Sequence, residues 1–481
     1  RILINLAPAG LKKDGAALDL PIALSVMAAA GIVPISTDLL VMGELELSGK
    51  IRPVRGVLAA IAAGLAEGIT EFIVPAENAG EAAILASSRS LAEKGARFAA
   101  AENLQSAVHA LFIREEKGAL PASVVAEDSP CETTSHGDFA DVRGQLIYKR
   151  ALEIAAAGGH NVLVFGPPGA GKTMLARRMP SIMTPLTSDE AVEVTRLYSL
   201  AGPFSNNSDN SSYRFIDRLI TRAPFRAPHH TASAEGVLGG GRIPRPGEIS
   251  LAHFGVLFLD EAPEFRVNVL QALREPLEDR VISIVRAEGP VRLPAEFQLL
   301  MTANACPCGR LGVRQTDISS SGYTCLCSSE EINRYWRKFG GALLDRVEIR
   351  VAVLPPKLEE MGRFKQNIIE STPTSSAEIA QRVKTAVEIQ RQRFKGTKIR
   401  RNALLPAGKT EILCPLSEKA EKAFHAAIAK LGLSGRAYHG ILRVARTIAD
   451  LEAKDIIETE HILEAVHHRR LGEDPWDILS I

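Results

Sequence analysis

A glycine-rich run in the middle of the chain has the residue types that bind phosphate. Residues 166–173 read Gly-Pro-Pro-Gly-Ala-Gly-Lys-Thr and match the pattern G-x-x-x-x-G-K-S/T. Glycines let backbone N–H groups curl around phosphate oxygens, and a following helix adds partial positive charge. Lys172 can reach the β- and γ-phosphates, and the Thr173 hydroxyl can help to hold Mg²⁺. The predicted nucleotide contacts are Gly166, Pro167, Pro168, Gly169, Ala170, Gly171, Lys172, Thr173 and Met174.

Two later apolar runs also end in side chains that could take part in hydrolysis. Asp260 and Glu261 follow the run Val-Leu-Phe-Leu, and Asn304 ends the run that begins at Phe297. At the carboxyl end of a buried strand, Asp260 would hold Mg²⁺ together with Thr173. Glu261 would then polarise the attacking water, and Asn304 would orient it. The alternative interpretation is a pair of surface acids and a turn residue.

Two arginines are candidates for contacts to the γ-phosphate. Arg346 precedes a predicted strand, and such an arginine can act on the nucleotide of a neighbouring subunit. Arg436 lies in the helical C-terminal part and can reach phosphates from a lid. An ordinary surface pair of Asp345 and Arg346 is the alternative, and it would contribute little.

Four cysteines form two C-x-C pairs on either side of a Gly/Ser-rich segment. They are Cys306, Cys308, Cys325 and Cys327. Four thiolates suit tetrahedral Zn²⁺, so the pattern predicts a structural zinc site, with buried or free thiols as the alternative. A metal-binding rather than disulfide use of cysteine indicates a reducing compartment, and we expect the cytoplasm.

The elements that position these residues divide the 481-residue chain into several segments. Residues 1–112 alternate short apolar strands with Ala-rich helices, and 113–137 have the polar, Pro-containing composition of a linker. Strands alternate with helices over 138–356, which predicts a parallel α/β sheet, and 357–481 are helical by periodicity. The net charge of +1 predicts no global field for nucleic acid, and the longest apolar stretch is too short to cross a membrane.

The order of these motifs resembles that of AAA+ ATPases. The wording of residues 224–233, 246–253 and 274–278 is similar to the magnesium-chelatase-related branch and, within it, to the ComM/YifB group. The resemblance implies an AAA+ parallel-sheet core with a helical lid. It also implies ATP and Mg²⁺ as cofactors and a homo-oligomeric, hexameric ring. The implied activity is branch migration of DNA, together with recombination proteins, during natural transformation. A metal-insertion subunit of the magnesium chelatase type and a protein-remodelling ATPase are the alternatives.

The first domain resembles the α+β proteolytic domain of Lon. Residues 13–17 and 43–56 parallel the segments around the serine and lysine of that protease. Ala17 stands at the serine position and Leu58 at the lysine position. Neither side chain can attack a carbonyl or accept a proton, so we expect a scaffold without protease activity. The chain begins at Arg1, and the resemblance predicts further residues upstream.

A DNA motor needs basic side chains that grip backbone phosphates. One candidate hairpin carries Arg242 and Arg245 after three glycines, and another carries Arg286 and Arg292 on either side of a turn at residues 288–290. Ordinary solvated arginines are the alternative.

Overall fold

The computed structural model describes ten stretches of the chain. They are residues 2–6, 15–34, 38–87, 96–120, 137–202, 219–241, 244–286, 289–311, 325–354 and 374–470. Of the candidate residues, Arg242 lies outside these stretches, and only the backbone of Arg286 is described.

The N-terminal part contains a three-stranded parallel sheet in the order β1-β4-β5. These strands are Leu39–Val41, Glu71–Pro75 and Arg97–Ala101, and a short antiparallel pair, β2 and β3, is formed by Glu44–Leu45 and Ile51–Arg52. The helices of this part are Asp19–Ala29, Val57–Ala66, Ala79–Ser87 and Leu104–Lys117. The last helix continues past residue 112, where the sequence places the first boundary, because it ends only at Gly118 in the left-handed conformation.

The central part is built on a five-stranded parallel sheet in the order β14-β6-β13-β10-β7. The strands are Val162–Phe165 (β6), Phe225–Arg226 (β7), Val256–Leu259 (β10), Gln298–Ala303 (β13) and Ile349–Ala352 (β14). β6, β10 and β13 are buried at every position. Burial explains the uninterrupted apolar sequences of β6 and β10, whereas β13 also buries the polar side chains of Gln298 and Thr302. Because the strands are parallel, the polar residues that follow β6, β10 and β13 meet at one edge.

Helices cover both faces of this sheet. In the central part they are Leu146–Gly158, Lys172–Ala176, Ser188–Ala201, Ala234–Leu238, Glu248–Leu251, Val267–Ala272, Arg274–Asp279, Ser329–Arg337 and Gly341–Leu344. In the C-terminal part they are Ser376–Arg393, Ala407–Leu413, Glu418–Leu431, Gly435–Leu451 and Thr459–Arg470. Val162 and Val164 of β6 belong to one apolar cluster with Ile448 of the C-terminal helices. Leu163 and Phe165 face the opposite side.

Two antiparallel pairs project from the central part. Gly239–Gly240 (β8) pairs with Arg245–Pro246 (β9), and Val281–Arg286 (β11) pairs with Gly289–Pro294 (β12). The second pair confirms the predicted hairpin. Its register joins Arg286 to Gly289 and Val285 to Pro290, so Gly289 and Pro290, which the sequence places in the turn, already belong to the second strand.

The N-terminal part docks on the helix Ser188–Ala201. The Gly56 N–H donates to the Ser199 carbonyl at 3.1 Å, and the Ser199 hydroxyl donates to the Glu81 carboxylate at 2.6 Å. Glu81 is fully buried, and burial raises the pKa of its carboxyl group. The two parts are therefore joined by a buried polar contact. Among the described helices there is none with the length and apolar character needed to cross a membrane.

Candidate active site

The glycine-rich run turns sharply between β6 and the helix Lys172–Ala176. Gly166 lies so close to β14 that a Cβ there would meet the Val353 carbonyl oxygen at 2.0 Å. Gly169 and Gly171 have φ angles of 77° and 80°, which glycine adopts without strain. The glycines of the motif are thus required by the path of the backbone as well as by any phosphate.

Lys172 lies inside the loop that it ends. Its Nζ donates to the carbonyls of Gly166 and Pro167 at 2.7 and 2.8 Å, and to Asn304 Oδ1 at 3.2 Å. Burial lowers the pKa of this ammonium to about 8, while the nearby carboxylates of Asp260 and Glu261 act in the opposite direction. The loop therefore holds a desolvated cation next to Asn304, the residue predicted to orient the attacking water.

Asp260 joins the glycine-rich run to the neighbouring strands. Its Oδ1 accepts hydrogen bonds from the hydroxyls of Thr173 at 2.8 Å and of Thr302 at 2.6 Å. A carboxylate and a hydroxyl oxygen this close together fit Mg²⁺, which binds proteins through few oxygen ligands and substrate phosphates. The two predicted magnesium ligands are therefore brought together.

Glu261 has an unusual backbone conformation for a glutamate. Its φ is 51°, in the left-handed region, and its N–H donates to the Thr302 hydroxyl at 2.9 Å. A non-glycine residue in that region costs free energy, and such residues cluster at functional sites. The conformation leaves the Glu261 side chain exposed beside Asp260.

Four further residues support this edge, and the sequence did not point to them. The Tyr148 hydroxyl donates to the Lys172 carbonyl at 3.0 Å, and the Tyr335 hydroxyl accepts from the Asn304 N–H at 3.3 Å. Gln145 Nε2 donates to the carbonyls of Ala170 and Leu354. The fourth residue is Thr302, whose hydroxyl contacts Asp260 and the Glu261 N–H. Of the four, only Thr302 has a signal in the sequence, because it lies two residues before Asn304, near the end of β13.

Arg346 and Arg436 do not join this cluster. Arg346 precedes β14, which runs parallel to β6, and its carbonyl accepts from Asn161 Nδ2 at 2.8 Å just before β6 begins. The glycine-rich run follows the other end of β6, whose four residues span at least about 10 Å. Arg436 shares an acidic partner, Glu278, with Arg346. Both arginines therefore lie at the amino edge of the sheet, opposite Lys172. The sequence predicts that Arg436 contacts the nucleotide phosphates from the helical lid. Its position at the amino edge does not support such a contact to a nucleotide bound by the same chain.

The four cysteines converge in a cluster directly after Asn304. The Sγ atoms of Cys306, Cys308, Cys325 and Cys327 all lie within 4.8 Å of one another. Three of the Sγ–Sγ distances are 3.3, 3.6 and 3.6 Å, close to the roughly 3.8 Å edge of a tetrahedron with Zn–S bonds of about 2.3 Å. The donor set thus fits zinc, although the 13 residues between 311 and 325 lie outside the described stretches.

The cysteine cluster contacts the glycine-rich run. A Cβ on Gly309 would meet the Pro168 side chain at 3.0 Å, and the Trp336 Nε1 donates to the Ala305 carbonyl at 3.0 Å. A group bound by the thiols would therefore stabilise the backbone on which Asn304 depends.

The two positions that distinguish the first domain from a protease belong to the same apolar region. Leu58 is fully buried in an apolar cluster, and Ala17 packs against that same cluster. Both positions are occupied by hydrocarbon, so no nucleophile and base face each other there.

Comparisons with known proteins agree with this arrangement. The family described as "Magnesium chelatase, subunit ChlI" matches residues 138–361, its C-terminal family matches 373–469, and "Subunit ChlI of Mg-chelatase" matches 1–78. YifB of Salmonella typhimurium is 39% identical over 474 residues, which cover 98% of this chain and 85% of that protein. Competence protein ComM of Haemophilus influenzae is 39% identical over 477 residues, 98% of this chain and 86% of that protein. The chain belongs to the ComM/YifB family.

Membership of the ComM/YifB family confirms the predicted fold class, an AAA+ ATPase core with a helical C-terminal part. An AAA+ ATPase of this family implies ATP and Mg²⁺ as cofactors. A shorter similarity connects the N-terminal part with Lon. Lon protease 2 of Bacillus subtilis is 32% identical over 154 residues, 30% of this chain and 26% of that protein. A Lon-like domain without the Lon serine and lysine thus precedes the ATPase core of this ComM/YifB protein.

Proposed function

We propose that this ATPase is a ring-shaped motor that migrates branched DNA during recombination, with the ATP site shared between neighbouring subunits. The observation that carries the proposal is the separation of the site into two halves. Lys172, Thr173, Asp260, Glu261 and Asn304 lie at the carboxyl edge of the central sheet, and Arg346 with Arg436 lies at the amino edge.

The first half supplies binding and the attacking water. Lys172 is positioned to exchange its loop carbonyls for phosphate oxygens, which charge and geometry both favour. Thr173 and Asp260 would hold Mg²⁺, which neutralises charge on the transferred phosphoryl group. Glu261 accepts the proton of the attacking water, and Asn304 orients that water.

The second half completes the site of the next subunit. An arginine that reaches a γ-phosphate stabilises the charge of the transition state and typically raises turnover by about 10³- to 10⁵-fold. Because the two halves occupy opposite edges of one chain, a head-to-tail arrangement brings Arg346 of one copy to Lys172 of the next. Such heterologous contacts close into rings. We therefore propose a homo-hexamer, the ring size that the family resemblance implies.

DNA as the substrate is supported by two hairpins and by the name of a relative. Arg245 on β9 and Arg292 on β12 are exposed, as backbone-phosphate contacts require. The similar protein of Haemophilus influenzae is named a competence protein, which is consistent with DNA uptake and integration. Arg242 and the Arg286 side chain remain candidates on sequence grounds.

The decisive experiment is migration of a synthetic four-way DNA junction with ATP. We expect the wild type to convert the junction into two duplexes and the Lys172→Ala variant to leave it intact. Arg292→Ala should weaken DNA binding and reduce the salt dependence by about one phosphate contact, with Arg97→Ala in the Lon-like domain as the matched control. ATPase activity that no DNA stimulates at any salt concentration would contradict the proposal. That result would favour a metal-insertion or protein-remodelling ATPase.

We also propose that the cysteine cluster holds a structural Zn²⁺. Zinc bound there would fix the segment between Asn304 and the helix Ser329–Arg337, and it needs the reduced thiols expected in the cytoplasm. Purified protein should contain one zinc per chain by elemental analysis, and Cys308→Ser should lose most of it together with ATP turnover. Cys414→Ala, which removes a thiol outside the cluster, should keep both. Zinc-free wild-type protein with full turnover would refute the assignment.

A further inference from the structure

We propose that Glu278 is the resting partner of both trans-acting arginines, and that the γ-phosphate bound by the neighbouring subunit displaces it. This inference rests on the proposed function, because it assigns the acid that controls access to Arg346 and Arg436. Glu278 is the fifth residue of the helix Arg274–Asp279, and its side chain is half exposed.

The contacts of Glu278 divide its two oxygens between the two arginines. Arg346 Nη2 donates to Oε2, and Arg436 Nη2 donates to Oε1 at 3.1 Å. Arg346 Nη1 already donates to the Ala342 carbonyl at 2.6 Å, and Arg346 Nε is buried without a described partner. The Nη2 group is therefore the donor that can turn outward, and Glu278 occupies it.

The cavity beside Glu278 is lined by further arginines, so its surroundings favour an anion that carries more negative charge than one shared carboxylate. This cavity of about 480 Å³ is also lined by Arg443 and Arg469. Each of these two arginines pairs with a separate acid. Arg443 Nη1 lies 3.7 Å from Glu348 Oε1, and Arg469 Nη2 lies 3.3 Å from Asp345 Oδ1.

Arg346 and Arg436 instead share a single negative charge. Arg436 is the second residue of the helix Gly435–Leu451, where the partial positive charge of the helix N-terminus disfavours a cation. A γ-phosphate carries more charge and more acceptor oxygens than a carboxylate, so it should win the exchange once a neighbour presents it.

The position of Glu278 also connects the exchange to the second hairpin. Only Asp279 and Arg280 separate it from β11, and Arg280 has a φ of 59°. A change of partner at Glu278 therefore occurs at the base of the hairpin that carries Arg292. Phosphate occupancy in one subunit would thus be sensed at a DNA-contacting element of the next.

The test is the Glu278→Gln variant, with Asp279→Asn as the matched control. Asp279 is the next residue, is exposed, and forms no ion pair with any residue in the described stretches. The measurement is specific ATPase activity against protein concentration, without DNA. Glu278→Gln should reach half of its maximal activity at a protein concentration about three-fold lower than the wild type does. A change of about three-fold corresponds to the free energy of one exposed ion pair. Asp279→Asn should match the wild type. In a background that lacks both arginines, where turnover is close to zero, Glu278→Gln should not restore it.

Three outcomes would overturn the inference. They are an unchanged concentration dependence, a fall in turnover, and loss of the folded state in Glu278→Gln. The last outcome counts because an exposed acid that only neutralises two arginines is dispensable for folding. Failure of the proposed function has a different signature. If Arg346→Ala keeps wild-type turnover, the shared site itself is wrong. If Arg346→Ala is inactive while Glu278→Gln behaves as the wild type, only this inference fails.

Discussion

Thr302 holds the acidic pair after β10 in place. Its hydroxyl donates to Asp260 and accepts from the Glu261 N–H, and the residue is fully buried. One side chain therefore fixes the carboxylate that would bind magnesium and the strained backbone of the proposed base.

Replacing Thr302 by valine should damage both functions of that hydroxyl. The Asp260 carboxylate and the Glu261 N–H would each lose a partner, so we expect unfolding to become easier by about 1–3 kcal/mol. ATP turnover should fall as well. Urea unfolding measures the first effect and steady-state hydrolysis the second. Thr302→Ser, which keeps the hydroxyl, should retain most of both; equal losses in the two variants would contradict the role of the hydroxyl.

Glu261→Gln should separate ATP binding from hydrolysis. The amide keeps the shape of the side chain but cannot accept a proton, so turnover should fall by about 10²- to 10⁴-fold while ATP still binds. Fluorescent-nucleotide titration and phosphate release test the two properties. Glu264→Gln, an exposed acid three residues later, is the control. Hydrolysis retained in pure Glu261→Gln would disprove the assignment of the base.

At the scale of elements, the C-terminal helices are attached to the core through buried polar contacts around His160. Its Nε2 lies 2.8 Å from the Thr447 hydroxyl, and its carbonyl accepts from Gln298 Nε2 at 2.6 Å. Burial lowers the pKa of this imidazole to about 3, and the charge of Arg443 acts in the same direction. The contact between lid and core is thus built for a neutral histidine.

Stability should therefore depend on pH through His160. Below about pH 6.5, the ordinary pKa of histidine, His160 takes up a proton in the unfolded chain but stays neutral in the folded chain. The free energy of unfolding is therefore highest above about pH 6.5 and declines as the pH falls towards about 3. His160→Gln should lose less stability than the wild type between pH 7 and 5, as measured by urea midpoints at each pH. The exposed His425→Gln should follow the wild type, and parallel curves for all three proteins would rule out the mechanism.

At the scale of the whole molecule, the separation of Arg346 from Lys172 predicts, under the proposed function, that a single chain lacks a complete ATP site. We expect Arg346→Ala to be nearly inactive alone, and Glu261→Gln likewise. Mixed, they should recover part of the wild-type turnover, because some interfaces then combine an intact Arg346 with an intact Glu261. Phosphate release across a titration of the two variants measures the recovery. Strictly additive, near-zero rates at every ratio would argue against a site shared between subunits.

The sequence alone determined the chemistry of the nucleotide site and the fold that holds it. Lys172 is recognisable from the glycine-rich run, Asp260 and Asn304 because each follows or ends an apolar run, and parallel strands bring such positions to one edge. Ala17 and Leu58 likewise predict the absence of protease activity, because neither side chain can act as a nucleophile or a base. The antiparallel hairpin of β11 and β12 was also visible in the sequence.

Only the tertiary structure decided which residues meet across long stretches of chain. Nothing in the local sequence connects Glu278 with Arg436, 158 residues apart, or Thr302 with Asp260. Side-chain hydrogen bonds depend on strand order and helix docking, whereas local patterns reveal only periodicity and burial. The opposite placement of Lys172 and Arg346, on which the proposal of a shared site rests, is a property of the sheet and of no single motif.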